Sequence, residues 1–334
     1  AAATNSRRSP GASMAGTGGR KPRATNPEPA HQPAMVAEIL AYLGQLEGKT
    51  VLDLTVGPGG HAKHLLQAGA RVVGLDRDPD ALEMAQKRLA EFGDRVLLLH
   101  GRMSQVEKVL TAAGVEVVHH CLLDAGLSMD QLRDPARGFS ADSEISLDMR
   151  LDRTEQATPT AEELVNALLD KQLEQVLSIT GRGRDARRVA ARIVAARRRR
   201  PIRSTAELAD LIAAALSRGG RPRRIDAAPY LMALRAAVNE ELEELRAGIE
   251  AAIRLLPPTG RLATLTWQGA EHRVARQTLR RLAHPCVCPP SLPCQCGKQP
   301  VIQILLPKPL SPSPQEVAAN PASRSARLHL AEKL

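Results

Sequence analysis

The stretch Val51-Leu-Asp-Leu-Thr-Val-Gly57-Pro-Gly59-Gly60-His61 decides the fold. Val51 to Leu54 reads as a short buried strand, Gly57, Gly59 and Gly60 follow, and a helical pattern starts near His61. Glycines between a strand and a helix let the backbone turn sharply and approach a ligand closely. The next strand-like run, Arg71 to Leu75, ends in Asp76. An acid at that tip, about 20 residues past the glycines, is placed to accept from ribose hydroxyls. The glycine spacing is not Gly-x-Gly-x-x-Gly, and no Gly-Lys-Ser/Thr phosphate cradle is present. A loop without a phosphate-binding signature suits S-adenosylmethionine better than a dinucleotide. The plainer alternative is an ordinary strand-to-helix turn.

Outward from this stretch, strand and helix patterns alternate. Met35 to Leu46 is helical, Thr50 to Asp53 a strand, His61 to Ala68 a helix and Arg71 to Asp76 a strand. Asp80 to Phe92 (helix), Val96 to His100 (strand), Ser104 to Ala113 (helix) and Val117 to Asp124 (strand) continue the series. Such alternation predicts a parallel sheet covered by helices on both faces. Ligands bind at the carboxyl ends of such strands, and there stand Gly57, Gly59, Gly60, Asp76, Met103 and Asp124.

From about residue 134 to 226 the strand signals stop. Helical periods cover Thr160–Ile179, Asp185–Arg200 and Ser204–Leu216, with capping boxes at Thr160–Glu163 and Ser204–Glu207. This predicts a helical insertion. It carries Arg182, Arg184, Arg187, Arg188, Arg192 and the run Arg197 to Arg200. Like charges at this density repel one another, so phosphate contact is the favoured reading over a solvated face. A helix over Ala228–Leu256, a turn at 257–260, a strand Arg261–Thr266 and a final strand Val301–Leu306 restore the sheet. The expected organisation is a basic, disordered segment 1–29, a cofactor-binding domain 30–133 and 227–308, the insertion 134–226, and a tail 309–334 lying extended over the surface.

The chain has 334 residues and a net charge of +10, with 43% hydrophobic but only 1% aromatic residues. The charge points to a polyanionic partner. With so few aromatics, base stacking is not the obvious mode of recognition. No apolar run approaches the ~20 residues of a membrane span. Residues 1–27 lack Asp and Glu and hold five basic residues among Ser, Gly, Ala and Pro, a composition also found in organellar transit peptides. Mitochondrial matrix is therefore the expected compartment, with plastid or bacterial cytoplasm as alternatives.

Several segments together resemble the ribosomal small-subunit RNA (cytosine-N4) methyltransferases, which modify a cytidine in the decoding centre. They are His31-Gln-Pro33, Thr55-Val-Gly-Pro-Gly-Gly-His61, Gly74-Leu-Asp-Arg-Asp-Pro79 and Leu122-Leu-Asp-Ala-Gly-Leu-Ser128. Gln131-Leu132, Arg137-Gly-Phe-Ser140, Leu147-Asp-Met-Arg150, Ala233-Leu-Arg235 with Val238-Asn239, and Arg324-Ser-Ala326 follow in family order. The resemblance covers about nine-tenths of the chain. It implies a class I methyltransferase (Rossmann-like) α/β fold with a mostly parallel sheet and a helical insertion. The cofactor would be S-adenosyl-L-methionine. The implied partners are small-subunit rRNA and the assembling small ribosomal subunit, without a membrane.

The resemblance also implies cofactor contacts at Gly59, Gly60, His61, Asp76, Met103, Asp124 and Gln131, with Gly57 in the same loop. Met103 stands where the family usually has Phe. Asp124 is the candidate catalytic acceptor for the cytosine amine, its ordinary alternative being a cap or turn aspartate. Substrate contacts are expected from Arg137, Asp148, Arg150, Arg235, Asn239 and Arg273. Asp148 and Arg150 could equally be a structural ion pair. Arg235 and Asn239, four apart on one helix face, could equally cap the core.

Some segments depart from the family pattern. Thr180-Gly-Arg-Gly183 replaces Tyr-Gly-Glu-Glu, and Thr266-Trp-Gln-Gly-Ala-Glu-His-Arg273 retains only Glu271 and Arg273 of the family's segment. Asp124-Ala-Gly126 replaces Asp-Leu-Gly, and Asn320-Pro-Ala322 replaces Asn-Pro-Arg. The competing reading is a non-catalytic rRNA-binding assembly factor that keeps the fold. A DNA amino-methyltransferase is disfavoured because an Asp-Pro-Pro-aromatic signature is missing.

Cys121 sits in an apolar run and reads as a small buried hydrophobe. Cys286, Cys288, Cys294 and Cys296 form two Cys-x-Cys pairs. They could make a tetrahedral zinc clip, but their spacing is not the usual two-residue knuckle, and Pro289, Pro290 and Pro293 can stiffen the loop without metal. No metal is assigned on sequence grounds.

Overall fold

A computed structural model describes Ala1 and residues 32–179, 183–217, 219–289 and 295–334. Residues 2–29 of the expected disordered segment, His31, the substituted Thr180-Gly-Arg triplet and Cys294 lie outside the described residues.

Residues from Gln32 onward build a seven-stranded sheet in the order β3-β2-β1-β4-β5-β7-β6. The strands are β1 (Thr50–Asp53), β2 (Arg71–Asp76), β3 (Val96–His100), β4 (His120–Asp124), β5 (Arg261–Thr266), β6 (Ile302–Ile304) and β7 (Arg327–Lys333). β1 to β5 run parallel, while β7 is antiparallel to both β5 and β6. This is the class I methyltransferase architecture expected from the sequence. Val51, Leu52, Cys121, Leu122 and Leu123 are essentially solvent-free, as expected of central strands covered on both faces. Each such Val or Leu side chain contributes roughly 1.5–3 kcal/mol of burial free energy.

Helices α1 (Val36–Leu43), α2 (Gly60–Gln67), α3 (Pro79–Leu89) and α4 (Val106–Ala112) lie between or before the first strands. The short α5 (Met129–Arg133) opens the insertion, which continues with α6 (Ala161–Ala167), α7 (Asp170–Ser178), α8 (Gly183–Arg197) and α9 (Thr205–Leu216). Then come α10 (Ala228–Val238), α11 (Glu241–Leu255), α12 (Gly269–Ala283) and α13 (Pro314–Ala319). The insertion has its own apolar cluster, which includes Leu173, Val189, Ile193, Ile212 and Tyr230, distinct from the clusters on the two sheet faces.

Three expectations are corrected. The helix expected over 160–179 is two helices, broken at Leu168–Leu169, where both residues turn extended and Gln172 caps the second helix. The helix expected over 228–256 breaks at Asn239–Glu240, and Glu240 takes a left-handed conformation (φ 52°) that only a special site imposes on a non-glycine. The largest correction concerns the tail. It does not lie extended over the surface, because Arg327–Lys333 inserts as a strand between β5 and β6, with Leu328, Leu330 and Ala331 buried. Val301–Leu306 is therefore not the final strand. Glu316 of α13 also reaches back, accepting from the Met35 amide at 2.8 Å.

Candidate active site

A cleft of about 370 Å³ opens at the carboxyl ends of β1, β2, β4 and β5. Its floor is the glycine loop. Gly57 (φ 50°) and Gly59 (φ 84°) are both left-handed, and Gly59 sits as the residue before α2 with Leu89 packed against it. A Cβ at Gly59 would lie 3.1 Å from Leu89. That position lets the start of α2 pack against the end of α3, while Gly57, Gly60 and His61 face the cleft.

Asp76 ends β2 at the cleft wall. One carboxylate oxygen accepts from the Gly57 amide at 2.8 Å and the other from the Asp78 amide at 2.9 Å. Burial nevertheless pushes its pKa up to about 6, against the opposing pull of those two amides. Each oxygen keeps a lone pair for a further donor. Asp78, two residues on, is fully buried and faces elsewhere: it takes Arg137 through both oxygens and Gln131 Nε2 at 2.6 Å.

Asp124 ends β4. Its amide donates to Thr55 Oγ1, and its Oδ1 accepts from Trp267 Nε1 at 2.8 Å. Its Oδ2 lies 3.5 Å from His61 Nδ1. His61 Nε2 is 2.9 Å from the Ala34 carbonyl, which can only accept, so Nε2 carries the proton. The other ring nitrogen, Nδ1, faces the Asp124 carboxylate.

The far wall comes from the helical side. Met103 packs over Gly248 of α11, where a Cβ would lie 3.0 Å from its sulfur. Arg235 is bidentate to Glu241 at 2.7 and 2.8 Å, and both line the cleft. Asn239 is wholly buried at the break between α10 and α11. Its amide donates to the Met149 carbonyl at 2.7 Å and its Oδ1 accepts from the Leu151 amide at 2.8 Å. Glu271, whose pKa burial raises to about 7, accepts from the Trp267 and Gln268 amides and closes the cleft beside them.

Of the residues singled out in the sequence, the cleft gathers Gly57, Gly60, His61, Asp76, Met103, Asp124, Gln131, Arg235 and Asn239. Four expected substrate residues do not line it. Arg137 is buried beneath Asp78 and also meets Asp80, Asp134 and the Leu151 carbonyl. Arg150 and Asp148 form a bidentate pair with each other at 2.7 and 3.0 Å, the structural ion pair that was their alternative role. Arg273 is exposed on α12. Trp267, Glu241 and Glu244 belong to the cleft although no sequence motif marks them. Trp267 could have been found, since it follows directly on a strand carboxyl end.

The chain also matches known proteins. Residues 28–334 match the family described as the MraW methylase family. The ribosomal RNA small subunit methyltransferase H of Symbiobacterium thermophilum is 42% identical over 313 residues, covering 91% of this chain and 96% of its own. The protein of the same name from Geobacter sulfurreducens is 42% identical over 310 residues, covering 91% and 99%. That from Syntrophotalea carbinolica is 41% identical over 309 residues, covering 91% and 98%.

Proposed function

This chain belongs to the MraW methylase family, and from that premise we propose that it uses S-adenosylmethionine to methylate the exocyclic N4 of a cytidine in the decoding centre of small-subunit rRNA. The observation that carries the reading is the Asp124 carboxylate, held at a strand tip in the cleft by Trp267 through one oxygen and facing His61 with the other.

The residues present fit the cofactor. Left-handed Gly57 keeps the loop open to a close ligand, half-buried Asp76 offers two lone pairs to ribose hydroxyls, and Met103 and Leu127 give apolar walls for an adenine. When bound, the cofactor supplies an electrophilic sulfonium methyl. The cytosine amine is a weak nucleophile because its lone pair is delocalised into the ring. Asp124 Oδ2 accepts a hydrogen bond from that amine, orients it, and takes the proton it must shed once the methyl is gained. His61 Nδ1, 3.5 Å from Oδ2, flanks that carboxylate and fixes its orientation. Alignment of this kind supplies on the order of 7–11 kcal/mol in favourable cases. The base must first leave its stack to enter.

The relatives named above come from bacteria, which supports the bacterial-cytoplasm alternative; mitochondrial import, which rested on residues 1–27, finds no support in them. Among the described residues no helix is long and apolar enough to cross a membrane.

The test is nucleoside mass spectrometry of small-subunit rRNA incubated with the protein and cofactor. N4-methylcytidine is expected with wild type. Asp124→Ala should lower the rate by about 10²–10⁴, the usual yield of a positioned proton acceptor. No product from wild type would favour the non-catalytic assembly factor, and full activity in the variant would remove Asp124 from the reaction.

A further inference from the structure

The loop between α12 and β6 carries chemistry that the cleft does not use. Cys286, Cys288 and Cys296 come together there, with all three sulfurs within 4.8 Å of one another. No disulfide joins them. None of the three lines the cleft. Cys286 is exposed, and the other two are half-buried.

Three further features suit a thiolate–metal loop. The Gln295 amide donates to Cys288 Sγ at 3.3 Å. Hydrogen bonds from the surrounding chain orient ligand atoms toward a metal. Gly297, directly after Cys296, is left-handed (φ 62°), so the chain turns back immediately beyond the second Cys-x-Cys pair. Lastly, the loop ties α12 to an edge strand of three residues, where the Val301 amide donates to the Leu282 carbonyl at 3.1 Å. A strand that short has little pairing of its own to hold it.

We propose that Cys286, Cys288 and Cys296 bind one structural zinc ion that fastens the loop between α12 and β6. Thiolates at about 2.3 Å from a tetrahedral zinc lie roughly 3.8 Å apart. The observed grouping is within about an ångström of that, a distance that rotation of the side chains covers. Soft thiolates select zinc over calcium or magnesium. Cys294 lies outside the described residues, and the site is argued from the three described sulfurs alone. Because the cluster stands apart from Asp76 and Asp124, the metal holds structure and takes no part in methyl transfer.

The full chain, purified under reducing conditions without chelator, should contain one zinc per chain by elemental mass spectrometry. After metal removal, Co²⁺ should give the thiolate charge-transfer band and the intense visible bands of a tetrahedral sulfur site. Cys288→Ser should weaken Co²⁺ binding by more than about 100-fold, since even outer-shell changes cost ~10–100-fold. Chelation should lower the melting temperature while leaving the affinity for S-adenosylmethionine unchanged. The cobalt spectrum of the unmutated chain decides the matter even if the variant fails to fold. A chain that purifies free of zinc and gives no cobalt–thiolate band overturns the proposal. So does a disulfide among these cysteines in the unreduced protein.

Discussion

The arginines of the inner and outer regions of this molecule do opposite things. Where the insertion meets the sheet, Arg137, Arg150 and Arg235 each grip a carboxylate through two nitrogens, and Arg137 and Arg235 are almost entirely buried. On the outer face of α8 and just beyond it, Arg187, Arg192, Arg198 and Arg199 are exposed and have no carboxylate partner among the described residues. The first group is saturated and serves architecture. The second keeps its charge available to an anionic partner. Residue type alone does not separate the two groups; burial and pairing do.

The largest effect should come from breaking the inner group. Arg137→Ala leaves Asp78 buried without its cation, and removing one partner of such a pair costs about 3–5 kcal/mol. Chemical denaturation should show that loss at neutral pH. Arg137→Ala combined with Asp78→Ala should recover part of it, because no orphaned charge then remains.

A smaller effect concerns Asp76 beside that pair. Ribose hydroxyls donate to its ionised form, so cofactor binding favours the deprotonated carboxylate. With its pKa raised to about 6 in the free protein, affinity should be full above that pH. It should fall toward tenfold per unit below it. Calorimetric titration across pH 5 to 8 in about one-unit steps checks this, and Asp76→Asn should bind more weakly with a flat profile.

Asp53 gives a stability readout of similar kind. It is buried beneath the glycine loop, and burial pushes its pKa to about 7. The native state thus holds a proton that the unfolded chain has already lost between about pH 4 and 7. Stability should fall as pH rises through that window and level off above it. Asp53→Asn should remove this slope in denaturation curves, since an amide oxygen can still accept from the Thr55 amide.

The smallest effect per residue belongs to the outer arginines. Replacing Arg187, Arg192, Arg198 and Arg199 with Ala should leave the melting temperature unchanged and weaken rRNA binding. The salt dependence should become shallower by up to about 0.7–0.9 for each phosphate that is no longer neutralised. An unchanged salt slope would move the RNA surface elsewhere.

The parallel core and its ligand edge were legible because β1, β2 and β4 are short apolar runs that end in Asp or glycine. The site was legible as far as strand tips reach. Pairings across distant sequence were not: nothing near Arg137 announces that its partner stands 59 residues away at Asp78. The break at Glu240 was hidden inside good helix formers. β7 was missed because its short apolar centre, Leu328 to Ala331, is flanked by charged residues and follows a Pro/Ser-rich stretch that reads as a tail.

The position of β7 orders events during synthesis. Until Arg327–Lys333 has left the ribosome, β5 presents an open edge and β6 has no neighbour, and exposed strand edges invite wrong partners. A nascent chain of this protein therefore carries its aggregation hazard until β7 has emerged and paired. A factor that shields the β5 edge in that interval would raise the yield of folded protein without altering its final stability.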